Sequence, residues 1–110
     1  MKVHKEKDFV KGWFIGDFDP SLIKTRDFEA SLKTYKKGDY EERHHHKVAT
    51  EITIITSGSV RMNDVEYTAG DIIEISPGED TDFLVISESA STVVIKTPSA
   101  TDDKYLGAMK

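Results

Sequence analysis

Three consecutive histidines, His44, His45 and His46, are followed at position 51 by a glutamate. Imidazole and carboxylate side chains bind divalent first-row metals. Whether these act together depends on the backbone beneath them. In a strand, side chains two apart share a face, so His44 and His46 point one way and His45 the other. On a helix, residues two apart diverge by about 200° and the pair would not chelate. Residues 47–50 are long enough for a turn, and a hairpin there returns Glu51 to the histidines. Two imidazoles and one carboxylate on one inner face form a facial triad with open positions, suited to Fe(II) and also to Mn, Ni or Zn. The bland alternative is a polar hairpin near a barrel mouth. His45 is expected to face outward, without a role in chemistry.

The elements that must hold this set read as strands. Turn signals recur at Asp19-Pro20, Lys37-Gly38-Asp39, Ser57-Gly58, Asn63-Asp64, Ala69-Gly70-Asp71, Pro77-Gly78 and Pro98. Between them lie short runs such as Ile52-Thr53-Ile54-Ile55, Ile72-Ile73-Glu74-Ile75, Phe83-Leu84-Val85-Ile86 and Thr92-Val93-Val94-Ile95. That spacing predicts an all-β sandwich or barrel. One segment competes: Phe28, Leu32 and Tyr35 fit a helical face. Phe28, Ala30 and Leu32 also alternate with Glu29, Ser31 and Lys33, and the turn at Lys37-Gly38 favours strand. Several runs are apolar at successive positions, hence on both strand faces. The second face then needs cover from further strands or from another subunit, which points to a homodimer.

Composition narrows the class. A chain of 110 residues is one domain. It lacks cysteine, so disulfides are excluded. A net charge of -5 with mixed signs offers nucleic acid no basic footprint. No apolar run reaches membrane-spanning length, and the first residues lack a signal-peptide core, so a cytoplasmic protein without membrane contact is expected. Residues 101–110 read as a polar, frayed terminus.

The stretch Gly38, His44, His46, Glu51, Gly58 resembles the first signature motif of the cupin superfamily at every defining position. After a short hairpin, Gly70-Asp71-Ile72-Ile73-Glu74-Ile75-Ser76-Pro77-Gly78 resembles the opening of the second motif, with its proline displaced by one. The motif's histidine, the family's fourth metal ligand, falls on Thr81, and its later asparagine on Val85. The flanks Trp13-Phe14-Ile15-Gly16 and Lys96-Thr97-Pro98-Ser99 resemble short single-domain microbial cupins. The resemblance implies one cupin-type β-barrel over residues 1–110, a double-stranded β-helix or jelly roll. Its core would lie at about 28–97, with residues 1–27 adding strands to one sheet. It implies a divalent metal (Fe, Mn, Ni or Zn) on His44, His46 and Glu51, without an organic cofactor, and a small polar metabolite as ligand. No separate general base stands out, so whether the protein is an enzyme stays open. The alternatives are a metal-free binding module for a sugar-like molecule, or an isomerase or epimerase using His44 or His46 as base. Glu79, Asp80 and Asp82 read as a solvated acidic turn. Tyr35, Tyr67 and Phe83 read as barrel lining, and Trp13 as a packing or interface anchor.

Overall fold

Valine, isoleucine and threonine branch at Cβ, which favours extended backbone and packing on a pleated surface. In the computed structural model, which describes residues 1–100 and 102–108, the runs of these residues form ten strands. They are β1 (Trp13–Ile15), β2 (Glu29–Lys36), β3 (Tyr40–His45), β4 (Thr50–Ser57), β5 (Ser59–Met62), β6 (Val65–Thr68), β7 (Ile72–Ile75), β8 (Asp80–Val85), β9 (Ser89–Thr97) and β10 (Tyr105–Leu106). The contested segment is strand β2. The helical structure among the described residues is two short 3-10 turns, Glu6–Asp8 and Val10–Gly12. No helix among them is long and apolar enough to cross a membrane.

The strands form two antiparallel five-stranded sheets, ordered β1-β2-β9-β4-β7 and β10-β3-β8-β5-β6. This is the double-stranded β-helix. The turns do what their residues dictate. Asn63 and Asp64 both adopt left-handed φ, the pattern of a two-residue hairpin. At Gly58 a Cβ would meet the Ser89 carbonyl oxygen at 2.2 Å, so only glycine fits there.

The faces of β2 invert the naive reading of its alternation. Ser31, Val94, Thr53 and Ile73 form one row across β2, β9, β4 and β7, and its first three members are buried. Glu29, Ser31, Lys33 and Tyr35 therefore face the opposite sheet. The adjoining row, Leu32, Val93, Ile54 and Ile72, faces out, with Leu32 41% and Ile72 68% exposed. On that outer side Glu6 accepts hydrogen bonds from the Thr34 backbone N–H and hydroxyl.

The core lies toward one end of the barrel, where Ile55, Val60, Met62, Ile75, Phe83, Val85 and Ala90 pack with Tyr35, Tyr67 and Ile73. The C-terminal segment departs from the frayed end expected of it. β10 pairs with β3, placing Tyr105 opposite His45 and Leu106 opposite His44. Asp103 is buried. Of residues 101–110, Thr101, Met109 and Lys110 lie outside the described residues.

Candidate functional site

The position of the histidines depends on an irregularity in β3. Glu41 pairs with Phe83 and His44 with Thr81, so Glu42 and Arg43 together oppose Asp82 alone. This is a β-bulge, and its extra residue shifts the alternation that follows. Glu41 and His44, three apart, consequently line the same cavity. The bulge also sets a proton. The Glu42 carbonyl accepts a hydrogen bond from His44 Nδ1 at 2.8 Å. A carbonyl can only accept, so a neutral His44 keeps its lone pair on Nε2.

His46 is fixed in the same way from the far end of the chain. Its Nδ1 donates to the Asp103 carbonyl at 2.5 Å. Its Nε2 lies 3.3 Å from Glu51 Oε1, within ion-pair distance but without hydrogen-bond alignment, and is buried without a hydrogen-bond partner. The His44 and His46 rings are 5.5 Å apart at 79°. Glu51 also accepts from the Thr53 hydroxyl at 2.8 Å. Burial pushes the Glu51 carboxyl up, but His46 and Thr53, with Lys96 nearby, outweigh it and bring it down to about 2.

The Nε2 lone pair of a neutral His46 would repel the Glu51 oxygen. The contact is stable if Nε2 carries a proton or if a cation sits against both groups. Two imidazoles whose Nδ1 protons are committed to carbonyls, beside an ionised carboxylate, fit a divalent ion in type and protonation. In the arrangement seen, His46 and Glu51 face each other, and among the described residues no three His, Asp or Glu side chains converge as an ion-holding group. Thr81 lines the cavity opposite His44, and its hydroxyl donates to the Asp82 carbonyl at 2.7 Å.

His45 points away from the cavity, as strand alternation predicts, but it is only 4% exposed. It stacks on Tyr105 at 5.5 Å, and its Nδ1 donates to the Gly107 carbonyl. Asp103 ties down the loop between β3 and β4. Its carboxylate accepts backbone N–H groups from Lys47, Val48 and Ala49 at 2.8 to 3.1 Å. Burial opposes its ionisation, yet these N–H groups hold its carboxyl below the ordinary value. On the outer surface Arg43 lies 3.0 Å from Asp80 and 3.7 Å from Asp82, and Glu79 accepts the Ser76 N–H within its turn.

The cavity between the sheets measures about 40 Å³. Besides His44, Glu51 and Thr81 it is lined by Trp13, Lys33 and Lys96, which sequence reasoning left out of the site. Glu29 stands beside it, with burial raising its carboxyl against the pull of Lys96. The available signal was the alternation of β2, which groups Glu29, Ser31, Lys33 and Tyr35 on one face without saying which face is inside. Lys33, Tyr35 and Glu41 also line an outer groove of about 790 Å³, so cavity and groove adjoin.

No family model and no curated protein matches the chain. Solved structures do. An uncharacterized conserved protein with a double-stranded beta-helix domain from Klebsiella pneumoniae matches over 98% of this chain and 93% of its own, with a TM-score of 0.72 at 16% identity. The DMSP lyase DddQ from Ruegeria pomeroyi matches over 86% of this chain with a TM-score of 0.70 at 17% identity. The chain spans about half, 49%, of that lyase. Oxalate decarboxylase from Bacillus subtilis matches 74% of this chain and 24% of its own, with a TM-score of 0.66 at 16% identity. These likenesses establish the double-stranded β-helix fold, the fold that the cupin-like signature over residues 38–58 implies.

Proposed function

We propose that the polar end of the barrel binds a divalent metal ion through His44, His46 and Glu51 and, with it, a small polar metabolite. The observation that carries this reading is His46, whose Nδ1 is committed to the Asp103 carbonyl while its buried Nε2 faces the Glu51 carboxylate at 3.3 Å. A divalent ion there would supply Lewis acidity toward a carbonyl, carboxylate or enolate oxygen of the ligand. The chain's own residues do the rest. The Glu42 and Asp103 carbonyls fix the two imidazole tautomers, Thr53 orients Glu51, and Thr81 offers a hydroxyl where a fourth nitrogen would stand. Mn(II) is the first ion to try, because the Bacillus subtilis oxalate decarboxylase has Mn(II) centres.

A second reading is a metal-free binding module, or an isomerase with His44 as base. It is favoured by the absence, among the described residues, of three converging donors. Protonated His46 would then pair with Glu51. Metal analysis of protein purified without added metal, followed by calorimetric titration with Mn(II), Fe(II), Ni(II) and Zn(II), separates the two. Near-stoichiometric binding that His44→Ala abolishes supports the metal site. A wild-type protein that binds none of the four ions puts the metal-free module in its place.

We also propose that a second copy of the chain covers the outward row Leu32, Val93, Ile54 and Ile72. The row runs unbroken across four strands, and its ends are exposed. Sedimentation equilibrium at micromolar protein should return a dimer mass, and Ile54→Glu a monomer. A wild-type monomer overturns the pairing.

A further inference from the structure

Placing an ammonium inside a barrel is unfavourable unless something there uses its charge. Two lysines of this chain stand on the inner face. Lys33, on β2, is opposite Thr92; Lys96, on β9, is opposite Glu29 on one side and Glu51 on the other. Trp13 is opposite Ser31, so along the sheet it lies between the Lys33 row and the Lys96 row. The Nζ atoms of Lys33 and Lys96 sit 4.8 and 4.9 Å from the centre of its ring. All three residues line the cavity that His44, Glu51 and Thr81 also line.

A simpler role for Lys96 would be to neutralise Glu29 and Glu51. Its ammonium favours both carboxylates through space, yet it lies over the indole and not in contact with either. Among the described residues neither lysine has a carboxylate within ion-pair distance. Burial holds the Lys33 ammonium below its ordinary value, with Glu41 as its main opposing influence. Thr92 Oγ1, fully buried and without a hydrogen-bond partner, lines the same space. Two unpaired ammoniums and a spare hydroxyl are donors without an acceptor.

We infer that Lys33 and Lys96 are an anion-recognition pair and that the metabolite taken by this cavity carries a carboxylate, seated on the two ammoniums beside Trp13. The inference rests on the small-molecule reading of the cavity, but not on the metal. The size of the space selects the anion. The space is small, about 40 Å³, and a planar carboxylate is a smaller head than a tetrahedral phosphate. The rest of such a ligand passes Lys33, Tyr35 and Glu41 into the outer groove, where Lys5, Lys7 and Lys11 add positive charge and Glu6 negative.

Trp13 is the sole tryptophan of the chain, so intrinsic fluorescence reads this site directly. Acetate, malonate and succinate, their amides, and inorganic phosphate would each be titrated into metal-stripped and Mn(II)-loaded protein. At least one carboxylate should give a saturable change, with its amide weaker by about tenfold or more, as loss of a charge-assisted contact implies. Lys33→Met and Lys96→Met should each weaken it by about tenfold as well. Lys37→Met, in an exposed turn, should not. Equal binding of acid and amide, phosphate binding tighter than every carboxylate, or no saturable change in either form overturns the inference. So do Met variants that bind like wild type. The acid-to-amide comparison uses the wild-type protein and stands even where a variant fails to fold. If Mn(II) does not bind, the stripped protein still decides the matter; if Mn(II) binds and no carboxylate does, the metal reading survives and this one falls.

Discussion

Glu51 and Ile55 lie four positions apart on β4, and both side chains point between the sheets. Around Ile55 pack Val60, Phe83, Val85 and Ala90, and the polar group there is the buried hydroxyl of Thr92, opposite Ile55 on β9. Around Glu51 the neighbours are His46, Thr53 and Lys96, and a buried nitrogen and two ammoniums are left over. The same strands, with the same pleat, produce an end that holds the barrel together and an end whose groups are poised toward something else. Unmet donors at one end are tolerable because apolar burial at the other carries the fold.

The comparison breaks hardest at its apolar side. Ile55→Ala should cost about 2–5 kcal/mol in denaturant unfolding, the range for a large-to-small change in a packed core. His44→Ala should do the reverse. Metal affinity by calorimetry should fall about 100-fold or more, while the metal-free protein loses far less stability than Ile55→Ala does. Equal destabilisation by both would mean that the polar end is structural after all.

The clamp on the loop between β3 and β4 sharpens the contrast through pH. The Asp103 carboxyl is held below its ordinary 3.8 because burial, which opposes its charge, is outweighed by the Ala49, Lys47 and Val48 N–H groups. A depressed carboxyl stabilises the fold fully above that ordinary value and loses its contribution as pH falls through the lower, folded one. Hydrogen exchange should therefore show the amides of residues 47–49 losing protection in acid below 3.8, while those of Ile55 and Val60 keep theirs. Asp103→Asn should remove about 1–3 kcal/mol of local protection at neutral pH. The smallest effect belongs to the outer surface. Asp80→Ala, which removes the nearer of Arg43's two carboxylate partners, should change stability by about 1 kcal/mol or less.

His44, His46 and Glu51 could be read from the sequence because strand alternation and a short hairpin are local facts. Even there the placing of His44 depends on a detail the pattern did not contain. The bulge at Glu42 and Arg43 places Glu41 and His44 on one face, and a regular strand would have put His45 there. Lys33, Lys96 and Trp13 were hidden for another reason. Alternation gives two faces and is silent on which is inside, and charged residues default to the outside; on β2 the charged face is the inner one. The C-terminal strand was illegible because two residues carry no periodicity, and the clamp of Asp103 runs to backbone N–H groups that every sequence possesses.

Asp103 has a consequence for how the protein matures. A ribosome makes chains from the N-terminus, so all three proposed ligands emerge more than fifty residues before Asp103 does. The pairings among β1 to β9 use no residue beyond Thr97, whereas the His46 tautomer is set by a carbonyl at position 103. The pocket is thus completed by a segment made after all nine of those strands. A protease that trims the tail back past Asp103 would remove that carbonyl and the clamp on residues 47–49 in one cut, leaving the His44 and Glu51 hydrogen bonds to Glu42 and Thr53 where they are.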